Sequence, residues 1–137
     1  MASNKKYWMP ATPKKKKHKA PDDLKVALKT AADELIESTL KPKHIQPLPT
    51  DHDFNYLVDI YSKWYQSYFY FCSTYNCPGE RAISPSFDDK FARMEYVGDG
   101  KFNLSYMRHT QKWWEIYQDL SMAECLERIA AGEHFTP

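Results

Sequence analysis

The sequence has little glycine and no long apolar segment, and each shortage argues against a class of protein. Only four of its 137 residues are glycine, and none stands in a G-x-G-x-x-G or P-loop arrangement. This argues against the two common glycine-rich cradles for nucleotide phosphates. No apolar run approaches the roughly 20 residues of a membrane helix, and the N-terminus lacks the apolar stretch of a secretory leader. We therefore expect neither a membrane-spanning nor an exported protein.

Cysteine is also scarce, with three residues at Cys72, Cys77 and Cys125. An odd number without a leader predicts a reducing compartment, the cytoplasm or, in a eukaryotic cell, the nucleus. Cys72 and Cys77 could form a small disulfide or half of a metal site, but C-x4-C is not a usual zinc spacing, and we favour burial of Cys72 in a strand. The remaining candidate metal ligands are not spaced like those of a regular metal site, so we predict no metal and no cofactor. These candidates are Glu80, Asp88, Asp89, His44, His52 and Asp53.

Acidic residues are missing from positions 1–19, which hold seven of the 19 lysine and arginine residues. The remainder carries the other 12 basic residues against all 18 acidic ones, so a segment of charge +7 precedes a body of charge −6. Successive lysines and prolines with few apolar residues do not support a packed structure. We expect residues 1–21 to form a basic, flexible tail and residues 22–137 a single α+β domain.

The tail contains the candidate residues for binding nucleic acid or another partner. A lysine run neutralises phosphates without reading sequence, and in a eukaryotic cell this one resembles a single-cluster nuclear localisation signal. The alternatives are a solubilising tail and one that folds back on the acidic body. An aromatic island within the tail predicts docking on this body or on a partner. The candidates are Lys14, Lys15, Lys16, Lys17, Lys19, Tyr7 and Trp8.

The body predicts a helix, five strands and a second helix. Apolar residues at spacings of three and four predict a helix from Asp22 to about Leu40, stopped by Lys41 before Pro42 and followed by a stiff connector to Asp53. We predict strands over residues 54–65, 68–74, 90–97, 102–108 and 112–118, with a long loop over 76–89 and a hairpin at 98–100. Ser121 and Glu124 form a capping box for the last helix, which Gly132 ends. The fold class is α+β: an N-terminal helix, an antiparallel five-stranded meander and a C-terminal helix.

Aromatic residues occupy both parities of the predicted strands, most clearly in the run Tyr-Phe-Tyr-Phe at 68–71 and in the pair at 113–114. Because successive strand residues point to opposite faces, both faces of the sheet carry large rings. Two helices normally cover one face. The other face is left to a dimer partner, a ligand, the Tyr7-Trp8 island, or solvent, which tyrosine tolerates at half-exposure.

Arg108 and His109 form a candidate catalytic pair at a strand end, near Trp113 and the 76–89 loop. His109 would act as acid or base and Arg108 would bind an anion. No Ser, Cys or carboxylate is linked to them by a recognisable motif, so a hydrogen-bonded hairpin edge is the favoured interpretation.

Several segments of the C-terminal half, mainly within residues 91–137, resemble a small bacterial α+β family of unknown function. They are FARMEY at 91–96, FNLSYMRHT at 102–110, the tryptophan pair at 113–114 and the closing FTP. The resemblance implies a cytoplasmic α+β domain and assigns no catalytic residue. The order of elements is also similar to double-stranded RNA-binding domains. Those have three strands and a basic start to the last helix, whereas this helix opens around Ser121 and Glu124 and contains one arginine, Arg128.

These observations predict a non-enzymatic binding protein. The lysine tail would contact RNA, DNA or a ribonucleoprotein, and the acidic, aromatic-rich body would bind a protein partner. Two alternatives remain open: a small enzyme with a site around Arg108 and His109, and a homo-oligomer packed through the open sheet face.

Overall fold

The computed structural model describes residues 18–47, 54–79 and 84–137, and its centre is one antiparallel sheet. Helix α1 (Asp22–Leu35), a π-helical segment (Ile36–Leu40) and α2 (Lys41–His44) precede the sheet. The strands are β1 (Tyr56–Tyr65), β2 (Tyr68–Asn76), β3 (Ser86–Gly98), β4 (Lys101–Met107) and β5 (Trp113–Ser121), and α3 (Met122–Ala131) follows. The strands lie in chain order, so the predicted α+β meander with a helix at each end is confirmed.

Some predicted features lie outside the described residues. They are Tyr7, Trp8 and Lys14 to Lys17 of the tail, together with His52, Asp53 and Glu80.

The predicted end of the first helix at Lys41-Pro42 is wrong. The backbone N–H of Lys41 donates to the carbonyl of Ile36, a five-residue spacing that widens the helix by one residue per turn. Pro42 then lies in the first turn of α2, which follows directly on the π-helical segment. α1, the π-helical segment and α2 therefore form one continuous helical rod over residues 22–44, which runs past the proline to His44.

The predicted loop at 76–89 is too long. Asn76 ends β2 and pairs with Ser86, the first residue of β3, so Asp88 and Asp89 belong to a strand. Aspartate is uncommon in β-strands. Here, however, Asp88 accepts hydrogen bonds from Tyr61 Oη (2.8 Å) and Thr74 Oγ1 (2.9 Å). These hydrogen bonds to two other strands stabilise an earlier start of β3 than strand propensity alone predicts.

The local signals at the β3–β4 turn and at α3 are confirmed. Asp99 adopts the left-handed conformation, with φ 53°, between two glycines of positive φ. At α3, the backbone N–H of Glu124 donates to Ser121 Oγ (3.2 Å), and the N–H of Ser121 donates to Glu124 Oε1 (2.8 Å). Gly132 ends the helix at φ 79°. These bonds satisfy amides that a helix N-terminus otherwise leaves unpaired.

The helices pack against one face of the sheet, which we call the covered face. One hydrophobic cluster joins helix residues to strand residues; its fully buried members include Leu28, Ile36, Leu40, Phe69, Phe71, Met94, Phe102, Leu104, Cys125 and Ile129. Ala20, before α1, is also buried in this cluster. A polar contact adds to the packing between α1 and β1: Ser62 Oγ donates to Asp33 (2.7 Å), and Lys29 Nζ donates to the carbonyl of Ser62 (2.7 Å).

Candidate nucleic-acid interface

The opposite side of the sheet, which we call the open face, combines tyrosines with basic residues. Tyr70 of β2 pairs with Lys63 of β1 on one side and with Arg93 of β3 on the other. Because residues two apart along a strand share a face, the register defines the rest of the set. The open face includes Tyr61, Lys63, Tyr65, Tyr68, Tyr70, Cys72, Thr74, Asp88, Lys90, Arg93, Glu95 and Trp113, together with Asn103, Ser105, Met107 and Glu115.

Arg93 lies between two aromatic rings. Its guanidinium carbon is 4.9 Å from the ring centre of Tyr68 and 4.9 Å from that of Trp113. The Trp113 ring is in turn 5.9 Å from the ring of Tyr70. Arg93 Nε is buried and has no hydrogen-bond partner, and the guanidinium makes cation–π contacts with both rings. The cluster holds a positive charge in place at the centre of the open face.

A cavity of about 320 Å³ lies beside this cluster. It is lined by Lys63, Trp64, Tyr65, Tyr70 and Lys90. Lys90 Nζ lies 5.5 Å from the ring centre of Tyr70, and Tyr65 leaves 59% of its surface exposed. Within the described ranges, neither Lys63 nor Lys90 forms an ion pair with a carboxylate. The cavity therefore combines two ammonium groups with two tyrosine rings, and both ammonium groups lie near enough to the Asp88 carboxylate to contribute to its lowered pKa.

Burial and neighbouring charges set the ionisation of this surface. Burial raises the pKa of Tyr70, although the nearby Arg93 opposes the shift, so its hydroxyl is neutral near pH 7 and can donate a hydrogen bond. The hydrogen bonds from Tyr61 and Thr74 lower the pKa of Asp88. Burial raises the pKa of Cys72, which is 1% exposed. The prediction that this cysteine is buried in a strand is thus confirmed, and its thiol is a poor nucleophile.

The structure separates the predicted catalytic residues from Trp113. Arg108 stacks over Trp114, with its guanidinium carbon 4.8 Å from the ring centre, while Trp113 lies on the open face against Arg93. His109 is exposed in the turn before β5. The turn is closed by the backbone N–H of Arg108, which donates to the carbonyl of Lys112 (2.9 Å). The described residues bring no nucleophile or carboxylate to His109 through a hydrogen bond.

Sequence reasoning missed the basic members of the interface, Lys63, Lys90 and Arg93. Alternation within each strand placed Tyr68 and Tyr70 on one face, and the same alternation places Lys63 beside Tyr61 and Tyr65. Arg93 is harder to assign, because the register between β2 and β3 shifts at Phe71 and Cys72. That irregularity decides which side of the sheet each basic residue of β3 occupies.

Lys19, the one lysine of the predicted tail set that the structure describes, lies elsewhere, beside the β1–β2 turn.

None of the described helices has both the length and the apolar composition that crossing a membrane demands.

A family model described as a domain of unknown function, DUF3024, matches residues 20–137. No curated protein and no solved structure matches the chain.

Proposed function

The chain belongs to the DUF3024 family, a domain of unknown function, and from that premise we propose that it is a cytoplasmic, non-catalytic protein that binds single-stranded nucleic acid on its open face. The observation that carries the proposal is the open-face cavity, where Tyr65 and Tyr70 lie beside Lys63 and Lys90. The three free thiols support a reducing compartment.

The chemistry of the cavity fits a nucleotide chain. Exposed tyrosine rings offer stacking surfaces for unpaired bases, at about 1–3 kcal/mol per base. Lysine ammonium groups neutralise the phosphates that link those bases. A duplex has its bases already stacked within it, so this arrangement favours single strands over double strands. Two carboxylates share this face with the basic residues: Glu95 pairs with Tyr68 across the strands, and Asp88 lies near enough to Lys63 and Lys90 for both to lower its pKa.

The lysine segment adds to this binding in the proposal. Lys14, Lys15, Lys16, Lys17 and Lys19 precede the body in sequence and would contact phosphates without reading bases. Each phosphate neutralised on a single strand adds about 0.7 to the slope of log affinity against log salt concentration. The tail therefore contributes salt-dependent affinity, while the rings contribute the preference for unpaired bases.

Fluorescence anisotropy with a labelled single-stranded 12-mer and the matching duplex tests the proposal on the full chain. We expect Tyr65→Ala to weaken single-strand binding about tenfold through loss of one stacking surface. Replacement of Lys14 to Lys17 by alanine should lower the salt slope and leave the preference for single strands intact. Lys63→Ala should weaken binding and also lower the slope, by about 0.7.

Matched controls lie on other surfaces. Trp114→Ala removes a ring that is 51% exposed beside an arginine on the opposite side of the sheet, and Lys43→Ala removes one exposed charge at the far end of the helical rod. Neither should change binding by more than twofold. Equal effects of Tyr65→Ala and Trp114→Ala would contradict the proposal. So would equal affinity for single strand and duplex.

The same surface has two other possible occupants, a protein partner and a second copy of the chain. Sedimentation at rising concentration separates the second from the proposal. A dimer that Tyr65→Ala dissociates, in a chain that binds no oligonucleotide, would replace the nucleic-acid function with self-association. A monomer that binds no oligonucleotide would leave the open face to a protein partner and would equally contradict the proposal.

A further inference from the structure

A second cavity, of about 470 Å³, lies beside the β1–β2 turn and is lined by His18, Lys19, Lys25, Gln66 and Ser67. Among the residues that the structure describes, it shares no lining residue with the open-face cavity. We propose that this turn cavity binds a phosphate group, independently of whether the open face binds nucleic acid.

The charges around the turn cavity are unbalanced. Lys19 and Lys25 form no ion pair within the part of the chain that the structure describes. The contrast with the rest of the helical rod is clear, since Lys29 pairs with Asp33 (3.2 Å) and Lys41 with Asp59 (3.1 Å). Lys25 instead rests over the ring of Trp64, with Nζ 5.6 Å from the ring centre. Two ammonium groups therefore border a cavity that has no carboxylate among its described lining residues.

Ser67 supplies an independent observation. The residue is 6% exposed, and its Oγ is buried with no hydrogen-bond partner. Buried hydroxyls in native proteins are nearly always paired, and an exception calls for an explanation. The backbone carbonyl of Ser67 accepts a hydrogen bond from the N–H of Tyr96 (3.0 Å), which fixes the main chain of the residue against β3. A bound oxyanion would provide the missing acceptor.

The basic residues before α1 are anchored against the body. A Cβ added at Gly98 would lie 3.1 Å from His18 Nδ1, so the imidazole packs closely on the β3–β4 turn. Two residues later, Ala20 is 1% exposed in the core cluster. The backbone of Lys19 thus lies between two residues that contact the body, so little further backbone order is lost when its side chain binds an anion.

The donor set favours a tetrahedral oxyanion such as phosphate among small anions. Lysine is a donor only, and the serine hydroxyl, the glutamine amide and the histidine ring each carry an N–H or O–H. A phosphate group presents several oxygens in a tetrahedral arrangement and accepts from several donors at once, and charged partners strengthen each bond. The shared chemistry of the ligand is therefore the phosphate group, either free as a monoanion or dianion or within a nucleic-acid backbone.

The test follows the backbone amide resonances of Gln66 and Ser67 in the 15N-labelled full chain. Sodium phosphate is titrated at constant ionic strength, with sodium chloride as the comparison salt, and an oligonucleotide without terminal phosphates forms a second arm. We expect saturable shifts. Lys19→Ala and Ser67→Ala should each weaken binding about tenfold, since each removes a donor to a charged group. Lys43→Ala, which removes a distant charge, should leave affinity unchanged.

The two arms identify the source of the phosphate. Saturation by inorganic phosphate, weakened by Lys19→Ala, supports a site for a free phosphate group. Saturation by the oligonucleotide alone, with the same dependence on Lys19, supports a site for a backbone phosphate. Shifts that chloride reproduces, or that neither Lys19→Ala nor Ser67→Ala weakens, overturn the proposal. Lys19 is exposed, so its variant remains informative if Ser67→Ala disturbs the turn.

Discussion

The two faces of the sheet use aromatic residues in opposite ways. On the covered face, Phe69 and Phe71 are fully buried under the helices, with ring centres 5.5 Å apart. On the open face, the alternate residues Tyr68 and Tyr70 are half-buried among basic side chains. Phenylalanine on the buried face and tyrosine on the half-exposed face fit their surroundings. A buried phenolic O–H requires a hydrogen-bond partner, whereas a half-exposed one can reach water.

Under the proposed function, alternate residues of a single strand serve stability on one face and binding on the other. Apolar burial on the covered face stabilises the fold. The open-face rings keep part of their area accessible and contact cations, which suits recognition of a charged, planar ligand. Substitutions on the covered face should therefore have large effects on stability, and substitutions on the open face should have small ones.

The largest expected effect is the difference in stability between removing a ring from the covered face and removing one from the open face. Phe69→Ala should lower the free energy of unfolding by about 3–5 kcal/mol, since it leaves a cavity in a fully buried site. Tyr65→Ala, at an exposed position, should change it by no more than about 0.5 kcal/mol. Urea denaturation followed by circular dichroism measures both. Similar losses for the two variants would erase the distinction between the faces.

A smaller effect concerns the helix that covers one end of the sheet. Ser121→Ala removes the cap of α3 and should cost about 1 kcal/mol. The same substitution at Ser38, an exposed helical residue whose hydroxyl donates to the carbonyl of Glu34 (2.7 Å), should cost less than about 0.5 kcal/mol. Thermal unfolding of the two variants checks the difference. A larger loss at Ser38 would show that the cap does not hold the helix on the covered face.

The smallest effect belongs to the open face and depends on pH. The pKa of Asp88 is lowered from its ordinary value of 3.8 by hydrogen bonds from Tyr61 and Thr74. A lowered folded pKa means that the carboxylate stabilises the fold above its ordinary pKa. That contribution is lost as the pH falls towards the lowered value.

Urea midpoints measured between pH 5 and pH 2 test this assignment. The wild-type midpoint should fall slightly more steeply below about pH 4 than that of Asp88→Asn, which carries no titrating carboxylate. Parallel curves would remove Asp88 from the groups that stabilise the open face.

The sequence predicted the parts of the fold that depend on local chemistry. The left-handed turn at Asp99 and the capping box of Ser121 and Glu124 are set by residues within a few positions of one another, and both are present. The continuation of the helix through Pro42 was missed because it depends on a π-helical turn, which has no comparably clear signal. The early start of β3 was missed because Asp88 is stabilised by partners on two other strands.

The candidate site shows the same division. Alternation was enough to place rings on both faces, but the position of Arg93 between Tyr68 and Trp113 depends on where the β2–β3 register shifts. Those three residues come from three strands, so no local pattern links them. Similarly, Lys19 could be recognised as basic, whereas its position beside Ser67 follows from the packing of the chain before α1 against the body.

The order of the strands has a consequence for the way the chain folds. Every strand pairs with its neighbour in sequence, so the sheet can grow by closing one hairpin after another, without first bringing distant segments together. Such local topologies fold fast for their size. The contact of α1 with α3 is different, because it joins the two ends of the body. We expect this contact to form after the hairpins, so that weakening it speeds unfolding while the folding rate stays nearly constant.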